Sequence, residues 1–372
     1  MDELNLVTLK EIYPRVIEDE YFKGTPFEAY VRDHCLVPFD GGAYMQNTFL
    51  YAPMIGGAYG IGQTFNTTKR QTLSGTFFDP KYYEVAIPEY KEIIQVVNKG
   101  SLAIFSLVDV DLRNAMNTIS AITAIDMSLH GQASGGGVVG NRILHINGWE
   151  EAYNDGITPS WTGSRFPTYG TVARNGVIGN AMNSTPVWCG KPDGSTGPIQ
   201  YPTMEETYQT ASRNNVEPNL GVGNKAAYAY MKERLQVQQR FQQEKDPIWG
   251  MTGFRFNSAM CLKDDYFPSL KYGVNDPNLG NYLTGTFTMP SGASAQGGFP
   301  NAGTTITVGE CWTWFNTQKV LFRLTDDPEY GYGFSGFLPA QDNTRVVGYI
   351  KAAQNMQFTA PWSGLSLYGI GG

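Results

Sequence analysis

An α+β fold is predicted by three features of the 372-residue chain: one long uninterrupted amphipathic helix, an alternating stretch just before it, and a C-terminal region dense in strand-like runs. Most of the remainder reads as irregular connection, with 43 glycines and 21 prolines. Charged residues make up 16%, below the usual quarter, whereas aromatics reach 13% with 22 tyrosines. Tyrosine combines apolar area with a polar tip, so this composition suits a surface made for protein contacts.

The helix is read from "VDVDLRNAMNTISAITAIDMSLHGQ" and is expected over 109–130. Leu112, Met116, Ile119, Ile122, Ile125 and Leu129 recur at spacings of three and four and form one apolar stripe. Asp109 and Asp111 suit the positive N-terminal end, and His130 with Gly131 closes the helix. About 20 residues at 1.5 Å each give a rod of roughly 30 Å, long enough to be the spine of a domain.

Before it, "PKYYEVAIPEYKEIIQVVNKG" places Tyr83, Val85 and Ile87 on one strand face. The phase slips at Pro88, and Tyr90, Ile94 and Val96 resume on even positions. "GQTFNTTKRQT", from Gly62, is strand-like but polar and carries Lys69 and Arg70. The two are expected to pair as a long hairpin over 62–99. An isolated hairpin is marginal in water, so this one needs another body to support it.

Residues 1 to about 60 show no core pattern beyond a short helix broken at Pro14, and are expected to lie extended as an arm. "NGWEEAYND", "TMEETYQTASRN" and Asn224–Lys245 are expected to be helical, with 156–203 in loops. "MTGFRFNSAMCLKDDYFP" is expected to be strand then turn. From Thr304 onward, "TITVGECWTWFN", "KVLFRLT" and "TRVVGYIKAAQNMQFTAPWSGLSLYGI" read as strands.

Motifs for chemistry are weak. "LGVGNKA" is a degenerate version of a dinucleotide fingerprint, but polar "SRNNVEPN" stands where a buried strand is needed, which favours a loop and a helix start. His145, Glu150, Glu151 and Asp155 could supply acid–base pairs, yet Glu150 and Glu151 are adjacent and diverge on a helix, so a solvated face is expected. Asp264/Asp265 and Asp326/Asp327 precede turn residues and are read as caps or turn initiators. No catalytic, cofactor-binding or metal-ligating residue is assigned, and His34 stands in no nameable catalytic setting. The scattered Cys35, Cys189, Cys261 and Cys311 are expected to be buried reduced thiols.

A net charge of −7 argues against a sequence-reading nucleic-acid binder. The opening "MDELNLVTLK" lacks the pattern of a signal peptide, and no apolar run is long enough for a membrane helix. Folding in a cytoplasm is expected, without membrane contact.

The order of parts, arm, hairpin, long helix, mixed region and β-rich return, resembles the major capsid proteins of tailed bacteriophages, which have the Hong Kong 97 fold. So do "FDPKYYEVAIPEYKEIIQVVNKGSLAIFSLVDVDLRNAMNTISAI", "LHINGWEEAYNDG", "GFRFNSAMCLKDDYFP" and "WFNTQKVLFRL" with "YGYGFSGFLPAQDNTRVVGY". The resemblance covers about residue 45 to the end. It implies an N-terminal arm (1–61), an extended loop (62–99) and a peripheral domain with the spine helix (100–145). A mainly axial domain (146–305) and a β-rich return completing the sheets (306–372) follow.

It further implies no enzymatic activity and no cofactor. The partners it implies are other copies, as pentamers and hexamers of an icosahedral shell, with a separate scaffolding protein, a portal and double-stranded DNA held on the inner face without sequence reading. A decoration protein stays open. The location implied is the virion head, made in the bacterial host's cytoplasm. The expected assembly contacts are Lys69, Arg70, Tyr83, Val85, Ile87 and Tyr90, with carboxylates of a neighbour facing the two cations and no covalent ligation. The alternatives are an encapsulin-like cargo compartment on the same fold, or a carbohydrate-binding or carbohydrate-hydrolysing protein, which the Tyr, Trp, Asn and Gly content would suit.

Overall fold

The computed structural model describes residues 25–90, 107–132, 142–158, 160–161, 164–174, 188–193, 197–213, 216–236, 243–245, 252–267, 310–339 and 345–371. The expected helix around Pro14, the continuation through Ile94 and Val96, and the run from Thr304 to Gly309 lie outside these.

The spine helix, α2, runs Leu107–Met127, following α1 at Pro26–Cys35. Of its predicted stripe, Ile119, Ile125 and the following Leu129 are buried, and Leu112 and Ile122 pack against the core clusters. Met116 is exposed; Ala115 occupies the buried position instead. The helix starts before Asp109 and Asp111, at Leu107, so Asp109 falls in its first turn and Asp111 just beyond it. Its end tightens, with the amides of Ser128 and Leu129 bonding to the carbonyls of Ile125 and Asp126 at 2.9 and 3.1 Å. The returning chain crosses this end closely: a Cβ on Gly148 would lie 2.1 Å from the Leu129 carbonyl oxygen.

Helix α1 was not legible as a helix. Pro26 starts it, and Phe27, Val31 and Cys35 enter the core. Thr25 turns its hydroxyl to Glu28, and the cap comes from Asp264, which accepts from the Phe27 amide at 2.8 Å. This part of the expected coreless arm is therefore packed.

Two main sheets organise the chain. The six-stranded sheet centres on β17 (Arg345–Phe358), which pairs antiparallel with β4 (Lys81–Tyr90), β14 (Val320–Thr325), β15 (Gly331–Phe334) and β16 (Leu338–Pro339). Strand β1 (Leu36–Phe39) adds parallel to β14. Strand β4 pairs with β17 over ten registered positions, from Tyr90↔Arg345 to Lys81↔Gln354. Over 81–90 the expected pairing with the segment from Gly62 is thus replaced by one with a strand some 260 residues away. Pro88 sits in register opposite Val347 without a phase slip, and Glu89 points inward and is buried. Ile87 is buried against Ala115 and Ile119 of the spine, with Tyr83 and Val85 packed on the same cluster.

The eight-stranded sheet runs β10 (Gln243–Lys245), β11 (Thr252–Phe256), β12 (Ala259–Lys263), β9 (Leu220–Gly223), β13 (Glu310–Phe315), β18 (Leu365–Gly371) and β7 (Lys191–Asp193), with β8 (Gly197–Pro198) also on β18. Helices α4 (Tyr201–Ala211) and α5 (Lys225–Gln236) follow; Met204, Tyr208, Ala227 and Met231 pack with Trp312, Trp314 and Phe254. Helix α5 ends at Gln236, and 243–245 is a strand, where one helix to Lys245 was expected. "LGVG" is a fully buried strand. Its glycines make room for indoles: a Cβ on Gly223 would lie 2.3 Å from Trp312 Cε3, and one on Gly221 2.7 Å from Trp314 Cζ3. Gly223→Ala should therefore lower unfolding free energy by about 1–3 kcal/mol in denaturant titration. An unchanged midpoint would mean the indole has room to move.

Candidate assembly interface

Strands β2 (Met45–Leu50) and β3 (Leu73–Phe78) form the hairpin that projects from the body, in register from Met45↔Phe78 to Leu50↔Leu73. Its root is fixed. Met45, Thr76 and Phe78 are buried. The Phe77 amide bonds to the Gly170 carbonyl at 3.1 Å, Asn47 Nδ2 donates to Gln357 Oε1 at 2.7 Å, and Phe49 stacks on Trp188 at 4.2 Å. The Gly170 carbonyl lies in a turn joining two short strands, β5 (Thr168–Tyr169) and β6 (Val172–Ala173).

Beyond the root, every residue from 53 to 71 is exposed. No strand forms in 62–72; that segment is the return limb of the loop. Its order is local: Gly60 and Gln63 exchange bonds of 2.9 and 3.1 Å, and Tyr59 meets Phe65 edge-on at 4.9 Å. Eleven of the nineteen exposed large hydrophobic side chains among the described residues fall between Tyr44 and Tyr90, including Met54, Tyr59, Ile61 and Phe65. So dense an exposed apolar set marks an interaction surface. Lys69 and Arg70 lie at its end, exposed and without an ion pair among the described residues.

The other expected contact residues divide by side of β4. Tyr90 is about half exposed. Tyr83, Val85 and Ile87 face their own spine helix, because odd positions of β4 point inward. Tyr83 donates to Asp126 Oδ2 at 2.7 Å and accepts from the Ile146 amide at 2.9 Å. Asp126 also takes Arg142 and, at 2.8 Å, His145 Nδ1. Burial alone would raise this carboxyl, but the Arg142 charge with the His145 and Tyr83 bonds holds it below the usual range.

Glu150 and Glu151 begin the short helix α3 (Trp149–Ala152) and are buried, not solvated. Glu150 pairs with His130 Nδ1 at 2.8 Å and accepts from Ser160. Glu151 accepts from the Gly131 amide at 3.0 Å and from Asn147, and burial pushes it up to about 7. Arg174 is buried behind them on the carbonyls of Glu151, Ala152 and Phe166. These groups hold the crossing segments together. Among the described residues no cluster of His, Cys, Asp and Glu suits a metal ion, and no helix is long and apolar enough to cross a membrane. All four cysteines are free and buried. Asp327 starts a turn as expected, accepting from the amides of Glu329 and Tyr330 at 2.8 and 3.2 Å.

No protein-family model matches the chain, and no curated protein matches by sequence. Solved structures do match over its whole length. The capsid of cyanophage A-1(L) aligns with a TM-score of 0.61 at 10% identity, over 98% of this chain and 99% of that one. The SrpI encapsulin of Synechococcus elongatus PCC 7942 aligns at 0.55 and 7% identity, over 100% and 96%. The capsid of a native GTA particle aligns at 0.54 and 9%, over 97% and 96%. The chain has the Hong Kong 97-like fold, an α+β architecture.

Sequence reasoning singled out Lys69 and Arg70, which the structure places exposed on the loop, and passed over the apolar tip before them. The signal was there: between Met54 and Phe65, apolar residues stand among four glycines with no alternation that could bury them in a strand.

One contact between β4 and the spine is pH-sensitive. Glu89 is hydrogen-bonded to Asp111; burial, that bond and the Asp111 charge push Glu89 up to about 7 from 4.5. The folded chain thus keeps a proton that the unfolded chain releases. This contribution to stability is complete below about pH 4.5 and is lost as pH rises through 7. Glu89→Gln should flatten the fall in stability between pH 5 and 7, read by denaturant titration across that range. An unaltered slope would exclude this pair as its source.

Proposed function

We propose that this chain is a shell subunit: the major capsid protein of a tailed bacteriophage, with many copies closing an icosahedral head around double-stranded DNA. The observation that carries the reading is the acid-free loop 53–71, with Met54, Ile55, Tyr59, Ile61 and Phe65 all exposed at the end of a hairpin whose root is packed. A folded domain gains nothing from such a loop in water; a neighbouring copy that covers it gains the burial of its side chains. The whole-length likeness to capsid subunits supports the same reading.

On this reading the hairpin reaches onto the next copy in pentamers and hexamers, and the spine helix with the six-stranded sheet forms the peripheral body. The eight-stranded sheet with α4 and α5 belongs to the axial part. A separate scaffolding protein and a portal complete the particle, which lies in the virion after synthesis in the host cytoplasm. DNA contacts the inner face without base reading, as the net charge of −7 suits. The role is structural, not enzymatic. An encapsulin-like compartment is the second reading, favoured by the SrpI likeness. The contents of purified particles, nucleic acid or protein cargo, separate the two.

Replacing residues 54–70 with a short Gly-Ser turn leaves β2, β3 and β4 intact. It should give a soluble subunit with unchanged far-ultraviolet circular dichroism and no closed shells by size-exclusion chromatography and negative-stain imaging. Complete, stable shells from this variant would overturn the reading.

A further inference from the structure

An open groove of about 820 Å³ lies beside β4, between it and the turn that joins β14 to β15. Tyr82, Glu84, Asp327, Tyr330 and Lys351 are among the residues that line it. Its acid content exceeds its cation content. Lys351 is already engaged by Glu329 at 2.6 Å, and it stands opposite Glu84 in the β4–β17 register. Glu84, Asp326 and Asp327 are exposed beside it. Tyr82 and Tyr330 meet edge-on at 6.3 Å, and Tyr82 is largely exposed. Lys351 already stands over the Tyr330 ring at 5.1 Å, which leaves Tyr82 as the open aromatic face; carboxylates beside such a face form a receptor for guanidinium and ammonium groups.

The complementary element is in the same chain. Segment 53–71 holds Lys69 and Arg70 and no acid; its apolar and aromatic side chains, Met54, Ile55, Tyr59, Ile61 and Phe65, precede a polar stretch that ends in the two cations. Within its own subunit neither cation meets a carboxylate among the described residues. At no more than about 3.4 Å per residue, the two limbs of this loop reach up to about 30 Å beyond the root, enough to cross onto a second molecule.

We propose that the groove of one copy receives the loop tip of a neighbouring copy, with Lys69 and Arg70 set against Glu84 and the Asp326–Asp327 turn. The inference rests on the reading of loop 53–71 as a docking element and names the surface that it docks on. The charge pairs fix where the loop lies, and the exposed aromatics of both partners supply the contact area.

The test uses charge reversal in the full-length chain. Lys69→Glu with Arg70→Glu should raise the concentration needed for shell formation about tenfold, and less at high salt. Glu84→Lys with Asp326→Lys should do the same, with circular dichroism unchanged in both. The combination of all four should restore assembly toward the parental level. In parallel, zero-length carbodiimide coupling of shells made from mixed isotopically labelled and unlabelled protein should yield a peptide joining Lys69 to Asp326 or Glu84 across two copies. If the loop variant is impaired while the groove variant assembles normally, or if Lys69 couples to other carboxylates, the receiving surface is elsewhere and the docking role stands. If both reversals assemble normally, the charge pairing is wrong. Failure of the parent to form any shell, or normal shells from the 54–70 replacement, would instead overturn the reading underneath.

Discussion

The carboxylate of Asp126 is the point that the rest of the molecule is arranged around. It stands near the C-terminal end of the spine helix, where a negative charge opposes the helix dipole, and it is fully buried. Such a charge persists only with partners. Tyr83 comes from β4; Arg142 and His145 come from the segment that returns toward α3. One side chain therefore joins strand, helix and crossing chain, and Tyr83 passes the link on to the Ile146 amide. Removing any one partner would leave a buried charge or dipole uncompensated, the costly direction for such a network. The ten-position ladder between β4 and β17 extends the same joint into the six-stranded sheet.

With β4 held this way, the division of the N-terminal region follows. Strand β4 belongs to the body and its inward face is spent on the spine. The projecting hairpin is β2 with β3, fixed only at its root by Phe49 on Trp188, Phe78 against Tyr169 and the Asn47–Gln357 bond. Rigid root and uncovered tip are what a reaching element needs: the root sets direction, and the tip adapts to the surface it meets.

The spine was legible because its signal is local. A 3.6-residue period without proline over 109–130 leaves few alternatives, and the error at Met116 is a rotation of the stripe by one residue toward Ala115. Strand β4 was legible as a strand from the same kind of local pattern, but not its partner, since nothing near residue 85 records a register with residue 350. Glu150 and Glu151 looked solvated because charged pairs on a short helix usually are. Their compensation comes from His130, Ser160, Asn147 and the Gly131 amide, which no spacing rule connects to them. "LGVG" shows the opposite failure: glycines that resemble a phosphate loop are there because two indoles from β13 need the space.

The burial of the four thiols also has a use. Burial raises the pKa of the Cys35, Cys189, Cys261 and Cys311 thiols above the ordinary thiol value, that of Cys35 to about 12. Little thiolate exists at neutral pH, and what exists lies out of reach of reagents. The folded chain is thus chemically silent toward alkylating probes. A single cysteine placed in the exposed loop would be the one site to take a dye or a cargo, with no native cysteine to remove first.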